Sequence, residues 1–223
     1  LTLVLLLAAE LIIFAFMTQN FFTTSNMINV LRQVSITGIS SLGMFMIILL
    51  GDIDLSVGSM YAFIGVISAI VFKTTESTCL TLIVALALGI AIGLFNGIFT
   101  AKFRVPAFIT TLATMSICRG FAYIITGGSP IGVTNPKFTF LGTGYVFNLI
   151  PLPVIFMIIV LILGMILVKH TRFGRYIYSC GGNAQAAKWS GINVDKIRIT
   201  VYVIAGFLNG FAAIILAGRL GGG

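Results

Sequence analysis

The sequence predicts an all-α protein that crosses a membrane several times, and three observations support this fold class. The first is composition: 59% of the 223 residues are hydrophobic, 8% are charged, and the mean hydropathy is +1.15. Soluble domains carry charge on about a quarter of their residues, so much of this surface must face lipid. The second is a series of charge-free windows of roughly 20 residues, the length that crosses the hydrocarbon. The third is the uneven distribution of a net charge of +8.

The first three predicted spans are interrupted by few charges. Span one, from Leu1 to Met17, is short and carries Glu10 inside an apolar run. Span two, from Gln33 to Leu50, follows a polar and aromatic segment that suits the membrane interface. Span three, from Leu55 to Phe72, is rich in small residues.

Charged residues bracket most of the remaining spans. Span five runs from Pro106 to Thr126 and carries Arg119. The other three lie between pairs of charges: Glu76 and Lys102 for span four, Lys137 and Lys169 for span six, and Arg198 and Arg219 for span seven. The sequence therefore predicts seven spans in one transmembrane domain over residues 1–223, and we expect this domain to be truncated at both ends.

Glycines recur at intervals of four in two of these spans. Span four carries Gly89, Gly93 and Gly97, and span seven carries Gly206 and Gly210. Glycines on one helical face let two backbones approach closely in lipid, where no hydrophobic effect drives helices together. We therefore predict that these glycines lie at helix–helix contacts.

Two acidic residues interrupt the apolar pattern between spans two and three, in the run GDIDLSVGS from Gly51 to Ser59. A lipid-facing helix cannot continue through this run, so its polar backbone must be buried in protein or line a cavity. We expect Asp54 to cap span three, because carboxylates are favoured at helix N-termini. Broken helices often mark a transport pathway. Three interpretations of Asp52 and Asp54 stay open: a structural cap and hinge, a gate of the pathway, or a proton relay.

Glu10 and Arg119 are costly inside hydrocarbon, so we expect each to face the helix bundle and to have a partner. One interpretation is a structural ion pair, with each other or with other residues. Snorkelling to an interface and direct contact with a substrate are the alternatives.

The longest polar and basic interruption runs from Thr171 to Arg198. Within it, Asn183 can cap a short helix and Gly191 can end that helix. A short helix with small side chains at a membrane face suits docking into a groove of a partner. This segment indicates a transport subunit that is driven from outside its own chain.

The distribution of Lys and Arg predicts the orientation of the chain. The connections after spans four and six hold eight of these residues, whereas the connections on the other face hold only Lys73 and Lys137. By the positive-inside rule, the N-terminus and the loops 102–104 and 170–198 are cytosolic. The glycine-rich loop from Thr126 to Leu149 then lies outside, as a lid, a docking surface or a simple connection. The positive charge requires no nucleic-acid partner.

The sequence lacks the motifs of several enzyme classes. It contains no G-x-x-x-x-G-K-[ST] run for phosphate binding and no G-x-S-x-G or H-E-x-x-H run. Its one histidine, His170, lies at a span end, and its three cysteines form neither a metal spacing nor a disulfide framework. We therefore predict that this chain has no catalytic residue, no metal site and no cofactor of its own.

Three blocks of the sequence together resemble the ribose-type sugar permeases of bacterial ABC importers. They are GDIDLSVGS, KFRVPAFITTLATMSICRGFAYIITGG and TRFGRYIYSCGGNAQAAKWSGINVDKIRITVYVIAG, in the family's order and spacing over essentially all 223 residues. The resemblance implies a fold similar to that of the cobalamin importers, with about ten spans in a whole permease. Such permeases carry pentoses, hexoses or the autoinducer-2 signal, and ribose is the nearest match here.

The resemblance also implies partners and functional residues. The partners are a second permease copy, a cytosolic ATPase that binds ATP and Mg, and an extracytoplasmic sugar-binding protein. Ala186, Ala187 and Gly191 match the family's E-A-A-x-x-x-G coupling segment. Gln185 replaces the usual acid of that segment, and Asp52 replaces a usual glycine. The expected ATPase-coupling residues are Asn183, Gln185, Ala186, Ala187, Trp189 and Gly191. The expected pathway or gate residues are Asp52, Asp54, Ser56, Asn96 and Thr114.

The sequence therefore predicts a permease subunit in the bacterial inner membrane that imports ribose or a related monosaccharide. Two other classes stay open. One is an ion-coupled secondary transporter, in which Asp52, Asp54, Glu10 and Arg119 would form an ion relay. The other is a structural or receptor subunit without transport. Co-purification with an ATPase that a sugar-loaded receptor stimulates would separate the first class from both alternatives.

Overall fold

Helices make up nearly all of the regular structure in the computed structural model, which describes residues 2–18, 21–147 and 149–223. In chain order they are α1 (Thr2–Met17), α2 (Thr24–Leu49), α3 (Val57–Thr75), α4 (Thr78–Ala101), α5 (Ala107–Thr126), α6 (Pro136–Thr143), α7 (Leu152–His170), α8 (Arg172–Gly182), α9 (Ala184–Trp189) and α10 (Val194–Leu220). Two short strands, β1 (Tyr145–Val146) and β2 (Ile150–Pro151), pair antiparallel between α6 and α7.

Among the described residues, six helices are long and apolar enough to cross a membrane, namely α2, α3, α4, α5, α7 and α10. This confirms the prediction of an all-α bundle that crosses the membrane several times. Helix α1 has 16 residues and a length of about 24 Å, which is shorter than the hydrocarbon of a typical bilayer. The seventh crossing therefore stays a prediction, and Leu1 lies outside the described residues.

Helix α10 lies at the centre of the bundle and packs against α2, α3, α4 and α6. Its crossing with α4 is close because glycines face glycines. A Cβ atom placed on Gly206 would collide with the carbonyl oxygen of Gly89 and would lie 2.9 Å from the Cα of Gly93. A Cβ on Gly210 would lie 2.6 Å from the carbonyl oxygen of Ala85. The predicted role of these glycines in helix packing is therefore confirmed.

The connecting segments gather on two faces of the bundle. Residues 50–56, 102–106 and 171–193 form one face, called the basic face below, where a guanidinium nitrogen of Arg104 lies 3.3 Å from the carboxylate of Asp195. On the opposite face, Arg32 donates a hydrogen bond to the carbonyl oxygen of Thr143 at 2.8 Å. The Thr78 hydroxyl there donates to the carbonyl oxygen of Lys137 at 3.0 Å. The loops 102–104 and 170–198 thus share a face.

Two segments differ from their predicted form. The predicted loop from Thr126 to Leu149, of which Asn148 lies outside the described residues, contains helix α6 and strand β1. Its Phe138 is buried against Phe72 with ring centroids 5.2 Å apart. This apolar contact holds the segment in place. The high glycine content of the segment had instead favoured an irregular loop. Helix α2 begins at Thr24, before the predicted start at Gln33, because the Thr23 hydroxyl caps it by accepting from the backbone N–H of Asn26.

Candidate functional site

The candidate site begins where α2 ends, in the α2–α3 turn (residues 50–56). Helix α2 stops because Gly51 adopts φ of +78°, a left-handed conformation that favours glycine. The backbone N–H groups of Leu50 and Gly51 turn back to the carbonyl oxygens of Ile47 and Ile48. The chain can therefore reverse direction here while these backbone donors stay hydrogen-bonded.

A chain of buried hydrogen bonds connects this turn to α4 and α5. The Asp54 carboxylate accepts from the backbone N–H of Ser56 at 2.8 Å and from its hydroxyl at 2.5 Å. The Asn96 amide on α4 donates to the same Ser56 hydroxyl oxygen at 3.3 Å. The Thr114 hydroxyl on α5 donates to the Asn96 carbonyl oxygen at 2.6 Å. We call these four residues the polar network.

The polar network unites four of the five residues expected at the pathway or gate. All four side chains are buried, with exposed fractions of 5% for Asp54, 0% for Ser56 and Asn96, and 4% for Thr114. In this structure they hold helices together, and Thr114 also borders an apolar groove with Phe63, Phe95 and Phe121. Their assignment to a substrate pathway stays a prediction.

The expected capping of α3 by Asp54 is wrong in its details. The N-cap residue of α3 is Ser56, which makes no side-chain capping bond, and Asp54 lies two residues earlier. Asp54 acts on the turn by accepting both hydrogen bonds from Ser56. Burial raises the pKa of the Asp54 carboxyl above its ordinary value, and the two Ser56 donors oppose this rise.

The fifth expected residue, Asp52, forms an ion pair that the sequence analysis missed. Its carboxylate lies 3.1 Å from the Nε atom of Arg198 on α10, and the exposed fractions of the two side chains are 11% and 22%. Burial raises the pKa of Asp52, and the Arg198 charge opposes that rise. The sequence held one indication of this pair. Arg198 lies one helical turn into a span, where a charged side chain needs a partner.

Two further contacts hold the α2–α3 turn. The Thr111 hydroxyl on α5 lies 3.2 Å from the carbonyl oxygen of Ile53 and donates to it. Gly181, near the end of α8, lies so close to the α2 terminus that a Cβ atom on it would collide with the carbonyl oxygen of Leu49. The turn and the helix end before it are therefore in contact with α4, α5, α8 and α10.

The second part of the site is the short helix α9 on the basic face, whose existence and ends confirm the prediction. The Asn183 side chain accepts from the backbone N–H of Ala186 at 2.9 Å and caps the helix. At the other end Gly191 has φ of +83°. The N–H groups of Gly191 and Ile192 donate to the carbonyl oxygens of Lys188 and Ala187, both at 3.0 Å, in the Schellman pattern.

The side chains of α9 point in two directions. Ala187 is 4% exposed and packs in one apolar cluster with Leu50, Ile177 and Tyr202. This small side chain therefore fits the core of its own chain, and its assignment as an ATPase-coupling residue stays a prediction. The exposed surface of α9 includes Gln185, Ala186, Lys188 and Trp189, with Trp189 80% exposed. A groove beside this surface is lined by residues of α9 and by the pair Arg104 and Asp195.

Glu10 and Arg119 do not meet the expectation that each faces a partner within the bundle. Both side chains are exposed, and the ion pairs among the described residues are Arg104–Asp195 and Arg198–Asp52. Arg119 instead lies in a groove between α3 and α5 that Ser59, Ser116 and Tyr123 also line. The four residues proposed for an ion relay do not form one connected set.

The described part of the chain also holds no group of three or more His, Cys, Asp or Glu side chains that could bind a metal ion. A buried polar turn beside six apolar helices is the arrangement of an integral membrane protein, and broken helices of this kind often mark a transport pathway.

Comparison with known families agrees with this class. The family described as branched-chain amino acid transport system / permease component matches residues 26–223, and the chain belongs to this family. No solved structure matches the chain.

Named relatives make the comparison more specific. The chain is similar to the ribose import permease protein RbsC of Haemophilus influenzae, with 40% identity over 212 residues, which are 93% of this chain and 65% of that protein. It is 39% identical to the L-arabinose transport system permease protein AraH of Escherichia coli K12, over 94% of this chain and 63% of that protein. It is also 36% identical to the probable ABC transporter permease protein YphD of the same organism, over 99% of this chain and 66% of that protein. The chain thus spans about 65% of the length of these relatives.

Proposed function

We propose that the chain is the membrane-spanning part of an ATP-binding-cassette importer that carries a monosaccharide, most simply ribose, across the bacterial inner membrane. The observation that carries this proposal is the 40% identity to a ribose import permease over 93% of the chain. Two permease copies, a cytosolic ATPase and an extracytoplasmic sugar-binding protein complete the proposed assembly. ATP and Mg belong to the ATPase partner.

The geometry of the basic face supports an external ATPase. Helix α9 exposes Gln185, Ala186 and Trp189 beside a groove, and its ends are closed by a side-chain cap and a left-handed glycine. A short, rigid, exposed helix of this kind can enter a complementary groove of a partner at little cost in conformational entropy. ATP-driven motion of the partner would then reach the spans through this contact.

Uptake of labelled sugars tests the proposal. The full-length protein, reconstituted in proteoliposomes with the proposed ATPase and binding protein, is expected to accumulate D-ribose in the presence of ATP. L-arabinose and D-galactose serve as competing sugars in the same panel. Uptake of none of these sugars by an assembly that hydrolyses ATP would contradict the proposal.

A second candidate substrate class is branched-chain amino acids, because the description of the matching family names them. Labelled leucine and valine therefore belong in the uptake panel. Accumulation of these amino acids without sugar uptake would favour this candidate. The ion-coupled alternative requires uptake in vesicles that contain the permease alone, driven by an ion gradient without ATP.

The proposed orientation predicts which residues label from each side. In a variant without native cysteines, a cysteine at Lys188 is expected to react with a membrane-impermeant maleimide only after the cells are opened. A cysteine at Lys137, exposed on the opposite face, is expected to react in intact cells. Reaction at Lys188 from outside intact cells would reverse the orientation and remove the proposed ATPase contact.

A surface substitution on α9 tests the proposed docking. Ala186→Arg places a long cationic side chain on an exposed position, so the fold should tolerate it while close contact with a groove is blocked. We expect co-purification of the ATPase to fall at least tenfold, with an unchanged melting temperature. Ser129→Arg, an exposed position on the opposite face, adds the same charge and should leave co-purification unchanged. Equal ATPase recovery in both variants would contradict docking through α9.

A further inference from the structure

We propose that the Asp52–Arg198 ion pair is the link through which motion of the basic face reaches the polar network of α3, α4 and α5. This inference rests on the proposed function, since it explains how an ATPase outside the chain acts on the spans. It assigns Asp52 and Arg198 as positioning residues for transport.

The first step of the argument is that α9 does not move alone. Ala187 is buried in the apolar cluster that also contains Leu50, Ile177 and Val201, and α9 packs against α8 and α10. Gly181 of α8 touches the last carbonyl group of α2. A displacement of α9 therefore displaces the neighbouring helix ends, because close-packed interiors transmit strain.

The second step is that the ion pair ties one of these helix ends to the turn. Arg198 lies one turn into α10, shortly after the segment that connects α9 to α10. Its Nε atom lies 3.1 Å from the carboxylate of Asp52, and both side chains are largely shielded from water. Charged groups in such surroundings attract one another more strongly than they do at the surface. A shift of the start of α10 therefore pulls on the α2–α3 turn.

The third step is that the same turn holds the polar network. Two residues after Asp52, the Asp54 carboxylate holds Ser56, and Ser56 connects to Asn96 on α4. The carbonyl oxygen of Ile53, between the two acids, accepts a hydrogen bond from Thr111 on α5. Motion of the turn therefore acts on α3, α4 and α5 together.

A second ion pair on the same face differs from this one in burial and connections. Arg104 and Asp195 also join the first turn of α10 to another connection, with 3.3 Å between charged groups. Their side chains are 66% and 40% exposed, so water screens this pair. Exposed ion pairs of this kind contribute little to stability. This pair connects α10 to the segment before α5 and does not reach the polar network.

The test removes the Asp52–Arg198 pair without leaving an unpaired buried charge. In reconstituted full-length protein with its ATPase and binding protein, Asp52→Ala with Arg198→Met should keep the wild-type melting temperature and ATPase co-purification. We expect the amount of D-ribose taken up per ATP hydrolysed to fall at least tenfold. The control, Lys73→Met with Glu76→Gln, removes one charge of each sign at exposed positions on the opposite face and should stay within twofold of wild type. A purely structural pair would change the melting temperature and leave the uptake per ATP of the folded protein unchanged.

The uptake per ATP of these variants decides whether the Asp52–Arg198 pair couples the basic face to the polar network. Wild-type uptake per ATP in the Asp52–Arg198 double variant, or an equal loss in the control, would overturn the link. If the double variant does not fold, the charge swap Asp52→Arg with Arg198→Asp decides. Recovery of at least half of the wild-type ratio supports the link, and a folded swap without recovery overturns it. Wild-type protein that neither binds an ATPase nor takes up sugar would overturn the proposed function and this inference together.

Discussion

Gly206→Leu is expected to prevent the accumulation of folded protein. A Cβ atom on Gly206 collides with the Gly89 carbonyl oxygen, and the atoms around it are backbone atoms of α4 that cannot move aside as a side chain would. Because α10 also packs against α2, α3 and α6, separating α4 from α10 disturbs the whole bundle. Overpacking of a core costs about 1–3 kcal/mol, and we expect this substitution to exceed the upper value.

Fluorescence-detected size-exclusion chromatography and thermal melting in detergent measure this effect. Gly120→Leu is the matched control, since a Cβ atom on this helical glycine of α5 meets no other atom within 4 Å. The control should give a single monodisperse peak with a melting temperature near that of wild type. A monodisperse Gly206→Leu protein with an unchanged melting temperature would show that α4 and α10 do not cross as described.

Asp54→Ala is expected to produce the second largest loss of stability. The substitution removes the acceptor of two hydrogen bonds from Ser56, which is fully buried and leads to Asn96 on α4. Each buried donor left without a partner costs about 1–3 kcal/mol, so for two donors we expect a loss of about 2–6 kcal/mol in the free energy of unfolding. Asp54→Asn keeps an acceptor oxygen in the same place and should remain close to wild type. A melting temperature of the Ala variant equal to that of the Asn variant would contradict the polar network.

The same pair of proteins predicts a pH dependence. Burial raises the pKa of Asp54 above its ordinary value of 3.8, so the folded protein holds this proton more tightly than the unfolded chain does. The stability linked to this group is therefore complete below the ordinary value and is lost as the pH rises through the raised pKa. Asp54→Asn does not titrate at this position. We expect the melting temperature of the Asn variant, relative to wild type, to be higher at pH 7.5 than at pH 4. A difference that stays constant or has the opposite sign would contradict the raised pKa.

The expected results for Gly206→Leu and Asp54→Ala would show that two parts of the bundle carry its stability. The glycine crossing of α4 and α10 gives a rigid centre, and the α2–α3 turn gives a polar joint between that centre and the basic face. In the proposed transporter, a joint of this kind would let a small motion at α9 act on several spans while every helix stays folded. The Asp52–Arg198 pair is the part of that joint whose removal should affect coupling and spare the fold.

The membrane-spanning helices and the short helix α9 could be predicted from the sequence, because hydrophobicity and helix capping depend on residues close together in the chain. Charge-free windows located six helices that can cross a membrane, and Asn183 and Gly191 located both ends of α9. Helix α6 was missed, because its eight residues are stabilised by the buried Phe138 and not by a periodic apolar pattern. The burial of Ala187 could not be predicted for a similar reason, since the direction of one small side chain depends on which helix lies beside it.

The sequence by itself determined that this chain is a polytopic membrane protein with a polar break before α3 and a capped helix on a basic face. These features follow from hydrophobicity, helix length and the conformations open to Gly, Asn and Asp, all of which act within a few residues. Only the tertiary structure decided which distant groups meet. Asp52 and Arg198 are 3.1 Å apart because the end of α2 lies beside the start of α10, and Asn96 joins Ser56 to Thr114 because α3, α4 and α5 pack together. Contacts between distant segments depend on packing in three dimensions, which no local pattern contains.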